Sequence, residues 1–236
     1  MISVCMATYN GEKYIREQVD SILAQLGDND ELIVSDDGSS DATLSILRSY
    51  GDPRIKLSHN TLRHGVNGNF ENALRQVQGD YIFLADQDDV WLPGKVRTCV
   101  EALRTTDLVV HDCIVTNSRL KTIHESFFAL RGSRSGFWRN WVRNSYVGCC
   151  MAFRREILDR VLPIPTRMGA LHDCWIGLLA EAAGRTEFLP FAGIRFRRHE
   201  QNTSPTAAES EFSLSSRIGY RIGLLRFVLK RIVLKK

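Results

Sequence analysis

The chain has no stretch of about 18 consecutive apolar residues, so no segment reads as a membrane-spanning helix. Its first residues, MISVCMATYN, lack the basic stretch and long apolar run of a classical export signal, and none is expected. Six cysteines, at positions 5, 99, 113, 149, 150 and 174, form no C-x-x-C pair. Most lie in apolar surroundings and are expected to be small core residues in a reducing compartment, not disulfides or a zinc site. Cys149 and Cys150 are adjacent, which suits opposite faces of a strand. Acid is missing from residues 217–236, which hold seven Lys or Arg. The net charge of +4 therefore describes a basic tail on a body of about −3, and no nucleic-acid-binding domain is implied. No repeat and no low-complexity linker interrupts the 236 residues, so one domain in two lobes is expected.

What is present is alternation. Residues 2–6, 30–35, 55–58, 80–85 and 108–115 read as strands, and 12–26, 42–50, 67–78 and 93–104 as helices. That order argues for a parallel sheet covered by helices on both faces. Such sheets bind ligands beyond the carboxyl ends of their strands. The polar clusters fall there: Thr8-Tyr9-Asn10, Asp36-Asp37-Gly38-Ser39 and Asp86-Gln87-Asp88-Asp89.

The second half is less regular. Residues 118–145, with Phe127, Phe128, Phe137, Trp138 and Trp141, are expected to form loops and helices shaping one wall of a cleft. Tyr146 to Phe153 reads as a strand, 172–183 as a helix, and 188–197 as one or two strands. In the tail, Ile218, Ile222, Leu225, Leu229 and Ile232 recur at helical spacing among basic residues. This helix either packs on the domain or lies on an anionic membrane face.

Asp86 and Asp88, one residue apart, can both reach a hard divalent cation, which cancels their repulsion and bridges phosphate oxygens. The plain alternative is a solvated turn. Asp37 can accept a hydrogen bond from a pyrimidine or ribose, and Tyr9 can stack on a base; a tight turn and a helix cap are the alternatives. Asp173 is either a carboxylate favoured by the dipole of its helix or a general base, with Trp175 as an apolar wall beside it. His199 is a third metal ligand, a donor to a leaving phosphate, or structural; Arg197 and Arg198 can add charge there.

Taken in order, Ala7-Thr8-Tyr9-Asn10, Ser35-Asp36-Asp37-Gly38-Ser39, Gly79 to Leu84 with Asp86-Gln87-Asp88-Asp89, and His172-Asp173 resemble the family 2 inverting glycosyltransferases. The segments Asp86–Trp91, His172-Asp173 and Phe196 to Asn202 look most like bacterial rhamnosyltransferase-type members. The resemblance implies a GT-A fold: a Rossmann-like, mostly parallel sheet with helices on both faces, an acceptor-side lobe and, after it, the amphipathic helix. It implies a domain over 1–205, with a nucleotide-sugar half (1–116) and an acceptor half (117–205), followed by the tail 206–236. Thr8, Tyr9, Asn10, Asp37 and Asp86 would bind nucleotide. Asp86, Asp88 and His199 would hold Mn²⁺ or Mg²⁺. Asp173 would be the base, with Arg197, Arg198, His172 and Trp175 near diphosphate or acceptor. The donor would be a dTDP- or UDP-sugar, with L-rhamnose from dTDP-rhamnose the leading expectation and a UDP-hexose or UDP-N-acetylhexosamine the alternative. A saccharide or lipid-linked acceptor in bacterial surface polysaccharide synthesis, and a cytoplasmic enzyme touching the anionic inner face of the plasma membrane through 217–236, complete the expectation.

Three rivals are weaker. D-x-D-x-V at Asp86 is also a phosphatase nucleophile signature, but there the motif follows the first strand, and here three strands precede it. Nucleotidyltransferases want a Gly-rich basic loop after strand one, and TYNGEKY is not one. A non-catalytic sugar-nucleotide or polysaccharide binding module has no need of the full acid set.

Overall fold

A computed structural model describes residues 1–166, 169–200 and 214–234, the last without the side chains of 214–218 and 220. Asn202, residues 206–213 and the side chains of Arg217 and Ile218 lie outside the described residues. The strands are β1 (Ile2–Thr8), β2 (Glu31–Asp36), β3 (Ile55–His59), β4 (Tyr81–Asp86), β5 (Val90–Trp91), β6 (Leu108–Asn117), β7 (Thr122–His124), β8 (Met151–Arg154) and β9 (Thr186–Arg198). They form one mixed sheet in the order β3-β2-β1-β4-β8-β6-β9-β5, with β7 on β6.

β1, β2, β3 and β4 run parallel, as do β6 and β9. β8 enters antiparallel between β4 and β6. Every residue of β2 is buried, as expected of a strand covered on both faces. The β6–β9 register slips between His111 and Cys113. Pro190, which has no N–H to give the ladder, lies in the β9 stretch that takes up the slip.

The helices are α1 (Ile15–Leu23), α2 (Thr43–Ser49), α3 (Val66–Leu74), α4 (Lys95–Ala102), α5 (Phe127–Arg131), α6 (Phe137–Val142), α7 (Leu158–Val161), α8 (His172–Ala183) and α9 (Leu214–Leu234). Val19 and Ile22 of α1, Phe70 and Leu74 of α3, and Leu178 of α8 are fully or almost fully buried against the sheet. Each such side chain contributes about 1.5–3 kcal/mol.

One expectation is corrected, and one of the two alternatives for the tail is found. Tyr146 to Phe153 is not one strand: Gly148–Cys150 is a 3₁₀ turn, and the strand starts at Met151. The turn is held because Cys149 gives its carbonyl to the Lys95 ammonium at 2.8 Å. Cys149 and Cys150 therefore share a turn instead of alternating across a strand. The tail helix, for its part, packs on α8 and α6 through Leu224 and Val228, both fully buried. The stripe read from the sequence is the less covered one, with Ile222 44% and Leu229 51% exposed.

Candidate active site

The carboxyl ends of β1, β2 and β4 lie side by side, with Thr8 level with Asp36 and Ala7 level with Asp86. Parallel pairing therefore brings three loops together that are far apart in sequence. Backbone and side chains lock them. Gln87 clamps Tyr9 from both sides, accepting from its N–H at 2.9 Å and donating to its carbonyl at 3.0 Å. Asn10 sits at φ 48°, in the left-handed region that Asn tolerates. Its side-chain oxygen accepts from the Ser40 N–H at 2.8 Å.

The two acids after β2 differ. Asp36 is buried and accepts from Thr8 Oγ1 at 2.9 Å and from the N–H groups of Gly38 and Ser39. It builds the turn, and the Thr8 hydroxyl is committed to it. Asp37 is half-buried and draws in the next loop, accepting from Asn60 Nδ2 and the Gly65 N–H, both at 2.7 Å. Tyr9, 57% exposed, stands at the mouth.

After β4 the acids split into two neighbouring groups. Asp88 Oδ2 lies 2.7 Å from His199 Nε2, and the imidazole stacks on Tyr14 with ring centroids 4.9 Å apart. Donor atoms of Asp86, Asp89 and Cys149 lie within 4.8 Å of one another. Burial pushes Asp86 up to about 7, helped by the charges of Asp88 and Asp173. Burial, with Asp88 and Asp86, holds Asp89 well above the usual carboxylate range. Asp89 accepts the Arg197 N–H at 2.9 Å through one oxygen, while among the described residues no N–H or O–H donor reaches the other.

Asp173 comes from the first turn of α8, where its Oδ1 accepts the Cys174 N–H at 2.6 Å. Burial pushes it up to about 6. Its influence on Asp86 brings a second-half residue to the β4 loop. Gly148 is what lets α8 come so close: a Cβ there would lie 2.8 Å from His172 Nε2 and 3.7 Å from Asp173 Cβ. His172 is buried and stacked on Phe70 at 3.9 Å, and burial lowers its pKa to about 3. It is a neutral imidazole whose two nitrogens find no partner among the described residues.

Two assignments are corrected by position. Trp175 is fully buried and donates its indole N–H to the Val161 carbonyl at 2.9 Å, because two residues along a helix turn it away from Asp173. It forms core, not an acceptor wall. Arg197 is 3% exposed; its guanidinium donates to the Asp88 carbonyl at 2.7 Å, to the Ser118 carbonyl at 2.8 Å and to Glu17. It braces the acid loop from behind instead of facing a phosphate. Arg198 is half-buried near Asp88 and Asp89, and desolvation lowers its pKa.

Sequence reasoning missed Gln87, Tyr14, Lys95 and Gly148. Lys95 is fully buried, with its ammonium 3.9 Å from the Trp91 ring centre. Its place four residues before Cys99, on the same buried face of α4, is the signal that was available. The other three look like ordinary loop, helix and turn residues until the chain is folded.

Of the expected cation ligands, Asp86 lies in the cluster with Asp89 and Cys149, while Asp88 and His199 pair with each other beside it; the Asp86 and Asp89 carboxylates are the hard oxygen donors a divalent cation takes.

The chain is 28% identical over 189 residues to the Escherichia coli UDP-Glc:alpha-D-GlcNAc-diphosphoundecaprenol beta-1,3-glucosyltransferase WfgD, covering 77% of this chain and 70% of that protein. Its fold matches S. aureus TarS 1-349 in complex with UDP-GlcNAc at TM-score 0.69 and 18% identity, over 97% of this chain and 72% of that one. It also matches glucosyl-3-phosphoglycerate synthase from Mycobacterium tuberculosis, in complex with Mn²⁺, UDP and phosphoglyceric acid, at TM-score 0.60 and 21% identity, over 98% and 78%. These neighbours establish the GT-A fold. The model of Glycosyl transferase family 2 matches residues 3–162, which take in the Tyr9, Asp37 and Asp86–Asp89 loops, and the chain therefore belongs to glycosyl transferase family 2.

Proposed function

We propose that the chain is a metal-dependent inverting glycosyltransferase moving a sugar from a nucleotide sugar to an acceptor hydroxyl. The observation that carries the reading is the approach of Asp173, from α8, to the Asp86–Asp89 loop: Asp173 abuts Gly148, and the next residue, Cys149, lies within 4.8 Å of the Asp86 and Asp89 carboxylates. Perturbed acids brought together from separate elements at strand ends are the mark of a functional site.

The Asp173 carboxylate takes the proton of the acceptor hydroxyl as that oxygen attacks the anomeric carbon. The bond from that carbon to the phosphate oxygen breaks on the opposite face, the nucleoside diphosphate leaves, and configuration inverts. Tyr9 and Asp37 border the base and ribose, with Thr8 and Asn10 shaping their loop. Asp88, His199 and Asp86 would hold Mn²⁺ or Mg²⁺, which supplies positive charge to the departing diphosphate. Arg198 lies beside that charge and His172 beside the base. Residues 1–116 form the donor half, 117–205 the acceptor half and 206–236 the tail.

The relatives favour a UDP-hexose or UDP-N-acetylhexosamine over L-rhamnose from dTDP-rhamnose: WfgD is named for UDP-Glc and TarS was solved with UDP-GlcNAc. WfgD is also named for a diphosphoundecaprenol acceptor, which supports a lipid-linked saccharide, a role in surface polysaccharide synthesis and contact of 217–236 with a membrane on the cytoplasmic side. A thermal-shift panel of UDP-, dTDP- and GDP-sugars with and without Mn²⁺, followed by donor hydrolysis, tests the reading. A Mn²⁺-dependent shift with a UDP-sugar and its slow hydrolysis are expected. No shift with any donor sinks the donor assignment, and binding without turnover marks a binding module.

A further inference from the structure

We infer that α6 and α9 together form one docking face for an anionic lipid bilayer, with α6 carrying the side chains that insert. This deepens the reading of a lipid-linked acceptor, and rests on it only for its purpose; the surface itself stands on other observations. The sequence points to the tail. The structure adds a partner to it.

α9 runs for 21 residues, about 30 Å. One side is pinned to the domain. Leu224 and Val228 are buried, and Arg231 donates to the carbonyls of Arg160 at 2.7 Å, Leu162 at 2.9 Å and Pro163 at 2.7 Å. The opposite side carries Ile222, Arg226, Leu229 and Val233, spaced by four, three and four residues, so they share a stripe. Leu229 is 51% and Val233 72% exposed.

α6 lies against the same helix: Trp141 Nε1 donates to the Arg221 carbonyl at 2.8 Å. Beside that joint, Trp138 is 65% and Val142 63% exposed. A tryptophan exposed to this degree on a short helix gains nothing from water.

Charge selects the occupant. Residues 126–155 contain no Asp or Glu, and neither do 214–236. Arg134 and Arg143 around α6, and Arg226 and Lys230 on α9, are exposed. Glu181 reaches α6 from the inner side, accepting the Gly136 N–H at 2.8 Å. No described helix is long and apolar enough to cross a membrane, so the contact lies in the plane of the interface. Exposed tryptophan and aliphatic side chains ringed by arginine and lysine match headgroup phosphates above acyl chains. α9 also packs on α8, the helix that carries Asp173, so this face fixes the approach of the membrane to the active site.

The test uses the full chain with the tail untouched. Wild type and Trp138→Ser/Val142→Ser are floated with vesicles of phosphatidylcholine alone and with 30% phosphatidylglycerol (about one anionic lipid in three). Wild type is expected to float with the anionic vesicles and to be released by 0.5 M NaCl (about a tenfold loss). The double variant is expected to lose at least about tenfold in partition, while its melting temperature and its hydrolysis of a soluble UDP-sugar stay at wild-type values. Equal flotation of variant and wild type overturns the role of α6. Failure of wild type to float overturns the docking face. A wild-type dimer in sedimentation velocity that the variant loses hands the surface to a second copy and overturns it also. Hydrolysis in vesicle-free buffer judges the catalytic reading separately.

Discussion

The β4 loop and the start of α8 both deliver carboxylates to one site, yet the two regions treat them differently. Asp86 is raised by burial and then by two neighbouring carboxylates, and Asp89 by burial, Asp88 and Asp86. Asp173 is raised by burial alone, against backbone N–H groups that lower it. Crowding makes a place for a cation, because opposite charge relieves it. Burial as the dominant cause suits a base, because the proton it takes restores neutrality in a dry place. One site thus holds two kinds of acid, separated by their surroundings and not by residue type.

The sharpest way to break this comparison is to neutralise one member of each kind. Asp173→Asn keeps the shape and removes the proton acceptor. Transfer is expected to fall by about 10³-fold, within the 10²–10⁴ range of a general base, with Mn²⁺-dependent donor binding unchanged by titration calorimetry. Asp88→Asn is expected to act the other way. It removes the partner of His199, and the thermal shift given by Mn²⁺ plus UDP-sugar, about 2.7 kcal/mol at a hundred times Kd, should vanish. If both variants lose binding equally, the acids form a single cluster and the comparison fails.

Much of the donor side was legible because parallel strands expose their loops in a fixed order. Val4, Ile33 and Phe83 read as buried strand residues, and a polar cluster follows at the carboxyl end of each strand, acidic after the second and third of these. The α8 limits were legible too, since an apolar helical pattern follows His172-Asp173 and ends at Gly184. The second half of the chain was harder. YVGCCMAF alternates well enough for a strand, but the Lys95–Cys149 bond bends it into a turn, and that bond joins residues 54 apart. Arg197 reads as a phosphate ligand because arginine after a strand often is one. Only the fold reveals that the Asp88 and Ser118 carbonyls already occupy it. Local pattern carries strand-end chemistry; it does not carry which charged side chain turns inward.

The pH profile sharpens the comparison at smaller amplitude. A carboxyl raised to about 6 is protonated below that value and cannot accept the acceptor's proton. kcat/KM at saturating Mn²⁺ is therefore expected to be flat above pH 6 and to fall about tenfold per unit below it. A profile flat down to pH 4.5 would mean that Asp173 is ionised throughout, and that its burial does not set its character.

The smallest expected effect probes what the two regions share. Lys95 lies beneath both: Asp89 faces it from the acid loop, and its ammonium holds the Cys149 carbonyl next to the Gly148 that abuts Asp173. Lys95→Met fills the same space without the charge or the donor. One buried carbonyl then goes unpaired, at a cost of about 1–3 kcal/mol, read as a lower urea midpoint at constant m. The Gly148 turn loosens with it, so kcat is expected to drop about threefold to tenfold while KM for the donor changes less, since Gly148 abuts Asp173 directly and the loops after β1 and β2 are locked by Gln87, Asp36 and Asp37. A rise in donor KM with kcat intact would place Lys95 on the cation side alone, and would show that the base is positioned by α8 without help from the turn.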